Sequence, residues 1–282
     1  MKKKSILVLS LIITALILIA GCSSPSVQFG KLTINSTPLG ANVYIDGVNT
    51  GSVTPLVENL EAGDYTIKLT KDLYKNWQGI VTVVVNQDES INPALELATI
   101  VLETIKPDGT EGKDSFVSSA GPDDNYGDLT YGLLGSSVDS PSSIFMRGYF
   151  QYDLSTIPST AVVTSAMFGL YYASSGSADL PLGLYKVLEE WDEAIITWNN
   201  QPQCLTESEY TLTIYSGSTT GIYKYWYNLT DLVQGWLDGS IVNYGMMIRD
   251  ADESSLDTMA WVGSSEANEE YRPKLTINYY VP

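Results

Sequence analysis

The feature that most constrains the fold is a series of short apolar and polar segments in residues 99–282, separated by turns rich in Gly, Ser, Asn and Asp. In one of them Phe150, Tyr152 and Leu154 occupy alternate positions, as side chains on one face of a strand do. Similar segments are 166–172, 182–187, 212–215, 222–229, 244–249 and 275–280. So many short strands predict a jelly-roll-like β-sandwich.

One short helix is predicted within this region, at residues 230–237. Leu232 and Trp236 lie on its apolar face, and Asn228 or Thr230 can cap its N-terminus. A glycine that follows the segment ends it. The larger domain is therefore all-β with one helix.

Residues 31–97 predict a separate, smaller antiparallel β-sandwich. Segments 32–35 and 65–69 alternate as strands do. Asp46-Gly47 is a strong hairpin signal because both residues tolerate positive φ.

The order of these elements resembles the PEGA domain, which is named for its Pro-Glu-Gly-Ala turn. The matching runs are Pro38-Leu39-Gly40-Ala41, Ile45-Asp46-Gly47, Thr54-Pro55-Leu56 and Ala62-Gly63-Asp64-Tyr65. The glutamate of the turn is missing here, but proline and glycine carry the turn geometry. The resemblance implies a spacer or adhesion role without catalysis.

The N-terminus carries lysines at positions 2–4, then an apolar run at 6–19 that is short for a membrane span of about 20 residues. A basic start, an apolar run and small residues are typical of a secretory signal. The ending Leu18-Ile19-Ala20-Gly21-Cys22 resembles a bacterial lipobox. This resemblance implies that 1–21 is a lipoprotein signal peptide and 22–30 a tether. Lipid on Cys22 would anchor an exported protein at the cell envelope or outer surface.

A tryptophan-rich stretch, residues 191–202, combines two tryptophans with acids, side-chain amides and a final proline. Asn199 and Pro202 favour a turn over a strand. Trp191 and Trp198 can pin this loop to a core. Two interpretations stay open: a structural corner and an aromatic platform for a ligand.

This stretch resembles the signature of the disaggregatase-related family, also called DNRLRE domains and grouped with carbohydrate-binding modules. The matching positions are Trp191, Glu193, Thr197, Trp198, Asn199 and Pro202. Further matches are Asp114 with 116–117, then 125–127, Arg147 with 150–154, 229–234 with Trp236-Leu237, and finally 243–245, 264–267 and 272–275. The resemblance covers 99–282. Since most matched residues are core, cap or turn positions, it implies the fold more strongly than the ligand.

The composition excludes several functions. A formal charge of −18, from 15 basic and 33 acidic residues, argues against nucleic acid as a partner because phosphate contacts need clustered Lys and Arg. The chain has no histidine, which removes Ser-His-Asp hydrolysis and His-ligated zinc. Adjacent acids such as Asp192 and Glu193 are candidates for glycoside cleavage, but acids in an acidic chain are mostly solvated. We therefore predict no catalytic residues.

Calcium is the cofactor that the sequence allows, because it takes several oxygen ligands from loops. Asp123, Asp124 and Asn125 form one candidate set, and Asp250 with Asp252 forms another. Neither has the spacing of a known loop motif. Solvated turn acids are the alternative.

A sugar-binding face is predicted along 222–229. A period of two places Lys224, Trp226 and Asn228 on one side of this strand. Since Leu229, on the other side, leads into the predicted helix, we expect Trp226 to face solvent. There it would stack on a pyranose ring while the lysine pairs with a uronic acid or sulfate. The alternative is an edge residue covered by a loop or by the neighbouring domain.

Together these observations predict a non-catalytic surface lipoprotein that binds extracellular or cell-wall polysaccharide. The polysaccharide is implied by the family resemblance, and the small domain would act as a spacer. Two alternatives remain: a structural or adhesive surface protein with a protein partner, and a polysaccharide-cleaving enzyme.

Overall fold

The computed structural model describes residues 27–139, 142–175, 178–253 and 258–282. The predicted signal peptide, Cys22 and most of the predicted tether lie outside the described residues. Within the described ranges, no helix is long and apolar enough to cross a membrane.

The regular elements of the described chain are eighteen strands, one α-helix and one short 3-10 helix. The elements are β1 Phe29–Ile34, β2 Asn42–Ile45, β3 Val48–Val53, β4 Leu56–Glu61, β5 Gly63–Thr70, β6 Trp77–Val83, β7 Asp88–Ile91, β8 Val101–Ile105, β9 Lys113–Ser118, β10 Tyr131–Asp139, β11 Ser142–Gln151, β12 Val162–Ser175, β13 Leu180–Lys186, β14 Tyr210–Ile214, β15 Ile222–Trp226, α1 Thr230–Asp238, β16 Met246–Asp250, β17 Thr258–Gly263, the 3-10 helix Glu269–Tyr271 and β18 Lys274–Tyr280.

The first seven strands form two small sheets, ordered β4-β1-β7 and β3-β2-β5-β6. The predicted hairpin at Asp46-Gly47 is confirmed, since both residues have positive φ and join β2 to β3. Leu32 and Ile34 on β1 are fully buried. The sequence predicted antiparallel pairing, and the structure adds one parallel pair, β1 with β7.

Contacts divide the described chain into two compact units. The first comprises the residues up to 69 together with 78–94, and the second comprises 70–77 and 95–282. The second unit contains the features described below.

In the second unit, β8–β18 form one eleven-stranded sheet that folds over into two layers. Two long strands make this possible. The first half of β11 pairs with β10 and its second half with β9 and β16. β12 pairs with β18 and β15, and then with β17. We call β14-β13-β16-β11-β9 layer 1 and β15-β12-β18-β8 layer 2.

The inward side chains of both layers meet in one apolar core. The rings of Phe150, from layer 1, and Phe168, from layer 2, have centroids 5.2 Å apart. The ring of Trp226 also points inward from layer 2, and its centroid lies 5.7 Å from that of Phe168. Because burial of such side chains drives the packing of two sheets, the predicted β-sandwich is confirmed.

The predicted helix is also confirmed, as α1, with Leu232, Val233 and Trp236 buried. Neither predicted residue caps it: Leu229 occupies the N-cap position without a side-chain hydrogen bond. Gly239 ends the helix in the left-handed conformation that glycine adopts without strain.

Candidate functional site

The outer face of layer 1 is covered by the tryptophan-rich loop, residues 191–202. Trp191 packs on Tyr149 with ring centroids 5.7 Å apart, and both belong to a second apolar cluster with Met247. The indole Nε1 donates a hydrogen bond of 2.9 Å to the carbonyl of Tyr244. Trp191 is therefore an anchor and offers little surface to a ligand.

Arg147 and Trp198 fix the far end of this loop. The guanidinium carbon lies 4.4 Å from the centroid of the Trp198 ring. Arg147 also donates two bonds, of 2.9 and 2.8 Å, to the carboxylate of Glu253 and one of 2.9 Å to Gln201 Oε1. The hydroxyl of Tyr149 donates to the same amide oxygen. This geometry favours the structural-corner interpretation of the loop.

The first predicted calcium set, 123–125, takes part in holding the loop. Asn125 Nδ2 donates to the carbonyls of Glu193 and Ile196, at 2.7 and 2.8 Å. Asp123 Oδ1 accepts a bond of 2.8 Å from Asn199 Nδ2. Pro202 closes the loop as a buried residue.

Asp124 and the second predicted set are engaged elsewhere. Asp124 is exposed, and its Oδ2 lies 3.5 Å from the hydroxyl of Tyr126. Asp250 is buried and accepts bonds of 2.9 Å from Ser136 Oγ and from the backbone N–H of Asp252. Burial raises the pKa of Asp250.

Within the described ranges, three acidic side chains converge at a different place. One carboxylate oxygen from each of Asp114, Glu193 and Glu266 lies within 4.8 Å of the others. Glu193 Oε1 accepts a bond of 3.1 Å from the backbone N–H of Asp114, and Asp114 Oδ2 accepts one of 2.9 Å from that of Ser265. We call these three residues the acid cluster.

The acid cluster has strongly perturbed electrostatics. Burial, followed by the charge of Glu266, raises the pKa of Asp114 to about 8. Burial also raises the pKa of Glu193 to about 7, and Glu266 adds to this shift. Like charges held close together disfavour the ionised form of each other.

The prediction that Trp226 faces solvent is wrong. Its side chain is 2% exposed and packs in the core against Phe168. Lys224 lies on the same inward side at the rim, with its Nζ 5.4 Å from the ring centroid of Tyr172. Asn228 is exposed, but β15 ends at Trp226 and Asn228 has a φ of 67°, so the period of two does not extend to Leu229.

The outer face of layer 2, together with the adjoining β10 and 3-10 helix, carries tyrosines instead. Six rings follow one another in the order Tyr227, Tyr225, Tyr223, Tyr171, Tyr271 and Tyr131. Successive centroids lie 6.0, 5.9, 5.8, 4.4 and 6.2 Å apart. We call them the tyrosine row. Tyr227 is 61% exposed, and the other five are partly exposed.

Gly169 lets two of these rings lie close to the sheet. It pairs with Tyr225 on one side and with Lys274 on the other. A Cβ atom at this position would lie 2.7 Å from the Tyr225 ring. The ring therefore leans over the glycine.

Basic side chains surround the middle of the row. Lys274 Nζ lies 3.9 Å from the ring centroid of Tyr223 and 5.3 Å from that of Tyr225, and Lys106 Nζ lies 5.7 Å from that of Tyr223. Burial lowers the pKa of Lys106, and the charges of Lys274 and Arg272 lower it further. The nearby carboxylates of residues 269 and 270 act in the opposite direction. The row thus combines flat rings with clustered cations.

Sequence reasoning missed the two features with the most distinctive chemistry. The predicted period of two places Tyr225 and Tyr227 on the side opposite Trp226, and that side was assigned to the core. The acid cluster joins residues that are more than 70 positions apart in sequence, and no local spacing indicates it.

Two family models match the chain. Residues 108–279, more than half of the chain, match the model of carbohydrate-binding module family 96. Residues 29–99 match the model of the PEGA domain. The comparison with curated proteins finds no match.

Two solved structures show weak similarity. One is a protein of Bacteroides thetaiotaomicron VPI-5482 assigned provisionally as a glycoside hydrolase, at 11% identity over 89% of each chain, with a TM-score of 0.17. The other is from infectious bursal disease virus, Gx strain, at 11% identity over 90% of this chain and 60% of that one, with a TM-score of 0.19. At these TM-scores neither similarity supports an argument.

Proposed function

Because the chain belongs to carbohydrate-binding module family 96, we propose that it binds polysaccharide along the tyrosine row on the outer face of layer 2. The single observation that carries this proposal is the row itself. Six partly exposed rings, with successive centroids 4.4–6.2 Å apart, form a continuous series of aromatic contacts. Sugar rings stack on such surfaces through their apolar faces.

The charges around the row favour an acidic polysaccharide. Lys274 and Lys106 lie over the same tyrosine ring, in a chain whose formal charge is −18. A uronate carboxylate or a sulfate would accept charge-assisted hydrogen bonds from these ammonium groups. It would also relieve the repulsion between neighbouring cations, which a neutral sugar would leave in place.

The role is that of a binding module without catalysis. The family match supports binding rather than catalysis. Glu193, from the acidic pair that the sequence offered for glycoside cleavage, is part of the acid cluster, whose members come from β9, the 191–202 loop and residues 264–267. None of the three belongs to the tyrosine row.

We place this activity on the cell surface as part of the same proposal. The lipobox-like ending at Cys22 supports lipid anchoring of an exported chain. The PEGA match at 29–99 lies between that anchor and the binding module in sequence, which supports a spacer role for it.

The test is a titration of the full-length chain, in mild detergent, with polygalacturonate and separately with a neutral glucan. We expect saturable binding that is tighter for polygalacturonate. Tyr225→Ala should weaken it by about 10-fold, because a ring contact of about 1–2 kcal/mol corresponds to that factor.

Tyr215→Ala is the matched control, since Tyr215 is 63% exposed and stands outside the row. It should bind like the unmodified chain. Equal weakening by both substitutions, or no binding by a folded chain, would count against the proposal. Saturable capture of a protein in place of polysaccharide would favour the adhesive alternative, and shortening of the polysaccharide would indicate an enzyme.

A further inference from the structure

We propose that Asp114, Glu193 and Glu266 form a divalent-cation site, and that Ca²⁺ is the ion it binds. The three residues come from separate parts of the second unit. Asp114 lies on β9, Glu193 in the tryptophan-rich loop and Glu266 in the turn that follows β17. A shared ion would connect all three segments.

Two buried carboxylate oxygens of the acid cluster have no hydrogen-bond partner among the described residues. Asp114 is 5% exposed; its Oδ2 accepts from Ser265 N–H, but its Oδ1 accepts from no group. Glu266 Oε1 accepts a bond of 3.1 Å from Ser265 Oγ, but its Oε2 is buried without a partner. A buried acceptor without a donor is costly, and a metal ion satisfies such oxygens directly.

The distances between the carboxylate oxygens also suit a bound ion. One oxygen from each residue lies within 4.8 Å of the others. Ligands on opposite sides of Ca²⁺ are separated by about 4.6–5.2 Å, twice the usual Ca–O distance. The described arrangement therefore needs little movement to surround an ion.

Charge also favours a cation at this place. When all three carboxylates are ionised, they bring a formal charge of −3 to neighbouring positions, of which Asp114 is buried. Like charges at such separations repel one another. A divalent cation reverses this effect, because each carboxylate then lies beside an opposite charge.

The donor chemistry selects the kind of ion. Oxygen ligands without imidazole or thiolate suit hard cations such as Ca²⁺ and Mg²⁺. Calcium accepts irregular sets of six to eight oxygens from flexible segments, whereas magnesium demands near-octahedral geometry. A turn, a loop and an edge strand supply irregular ligands, and loop carbonyls and water can complete the shell. Calcium fits this site better.

The site differs from both calcium sets that the sequence predicted. Asp123 and Asn125 hold the loop by hydrogen bonds. Glu193, which follows Trp191 by two residues, belongs to the acid cluster. Calcium would therefore stabilise the attachment of the tryptophan-rich loop.

The test is isothermal titration of the full-length chain, in mild detergent, with CaCl₂ and with MgCl₂ after treatment with EDTA. We expect one calcium site, weaker binding of magnesium, and a melting temperature that rises with calcium. Asp114→Asn and Glu193→Gln should each weaken calcium binding by at least about 10-fold. In EDTA, Asp114→Asn should melt no lower than the unmodified chain, because asparagine can keep the bond from Ser265 and removes a buried charge.

Asp124→Asn is the matched control, since Asp124 is an exposed acid close in sequence to the loop-holding Asn125. It should bind calcium normally. Calcium binding that is lost in Asp124→Asn and kept in Asp114→Asn would overturn the proposal. So would a folded chain whose melting temperature and heat of titration do not respond to calcium. These results do not depend on polysaccharide binding, which is measured separately.

Discussion

The two outer faces of the larger sandwich belong to the same sheet path but carry different chemistry. On layer 1, the outward side chains of Tyr149 and Met247 are sealed under Trp191. On layer 2, Tyr225 and Tyr227 remain partly or largely exposed, with Lys274 beside them. One face is therefore covered by another segment of the chain and resembles an additional core. The other face stays partly exposed, as the proposed polysaccharide binding requires.

The difference shows that aromatic content alone does not identify a binding face. The tryptophan-rich loop holds two of the six tryptophans of the chain, yet its indoles stabilise the fold. The tyrosines of layer 2 stay partly exposed and contact one another in a row. What separates the two faces is whether another segment of the chain satisfies the rings and the polar groups around them.

Substitution of Trp191, which anchors the loop, tests this comparison and should have the largest effect of the changes considered. Trp191→Ala should lower the free energy of unfolding by about 3–5 kcal/mol, as large-to-small changes of buried aromatic residues do. Chemical denaturation measures this change. Polysaccharide affinity of the folded fraction should stay unchanged.

Trp261→Ala is the control for that measurement, because Trp261 is 45% exposed. Its cost should be well under half of that for Trp191→Ala. Similar costs for both tryptophans would contradict the distinct role of the covered face.

Arg147→Lys tests the polar part of the loop attachment. Lysine keeps the charge but loses the fork that bonds Glu253 twice and Gln201 once. We expect a loss of about 1–2 kcal/mol in the free energy of unfolding, measured by the same denaturation. A change within about 0.3 kcal/mol would show that this network contributes little.

Lys274→Gln tests the charge on the exposed face. Polygalacturonate binding should weaken several-fold at low salt, and the difference should shrink as salt is raised, because exposed charges are screened. Binding of a neutral glucan should not change. Titrations at two salt concentrations measure both effects, and equal losses for the acidic and neutral polymers would argue against an ionic contact.

Gly169→Ala should have the smallest effect and tests ring placement. The new methyl group would lie 2.7 Å from the nearest atom of the Tyr225 ring, which is closer than van der Waals contact allows. The ring must therefore move away from the sheet. We expect binding to weaken about 2- to 5-fold with a change of under about 1 kcal/mol in stability. Met167→Ala, on the same outer face, controls for a general change of that surface.

Much of the architecture could be predicted from the sequence, because strand alternation, the Asp46-Gly47 turn and the helix pattern are local signals. The orientation of Trp226 could not, because the period of two does not continue through Asn228. The backbone there has a φ of 67°, so the inward position of Leu229 says nothing about residue 226. The alternation of side chains between the two faces holds within a strand and ends where the strand ends.

The candidate sites were harder to predict for a different reason. The tyrosine row joins rings from β15, β12, β10 and the 3-10 helix, so its continuity depends on sheet order. The acid cluster likewise depends on the fold to bring Asp114, Glu193 and Glu266 together. Each segment was visible in the sequence, but the proximity of the segments was not.

Hydrogen exchange of the full-length chain with and without polygalacturonate, followed by mass spectrometry, tests the central claim most directly. The account predicts slower exchange in peptides that cover 222–227 and 274–280, with residues 191–202 unchanged at short exchange times. Protection confined to 191–202 would contradict it, because the covered face of layer 1 would then be the one that meets the polysaccharide.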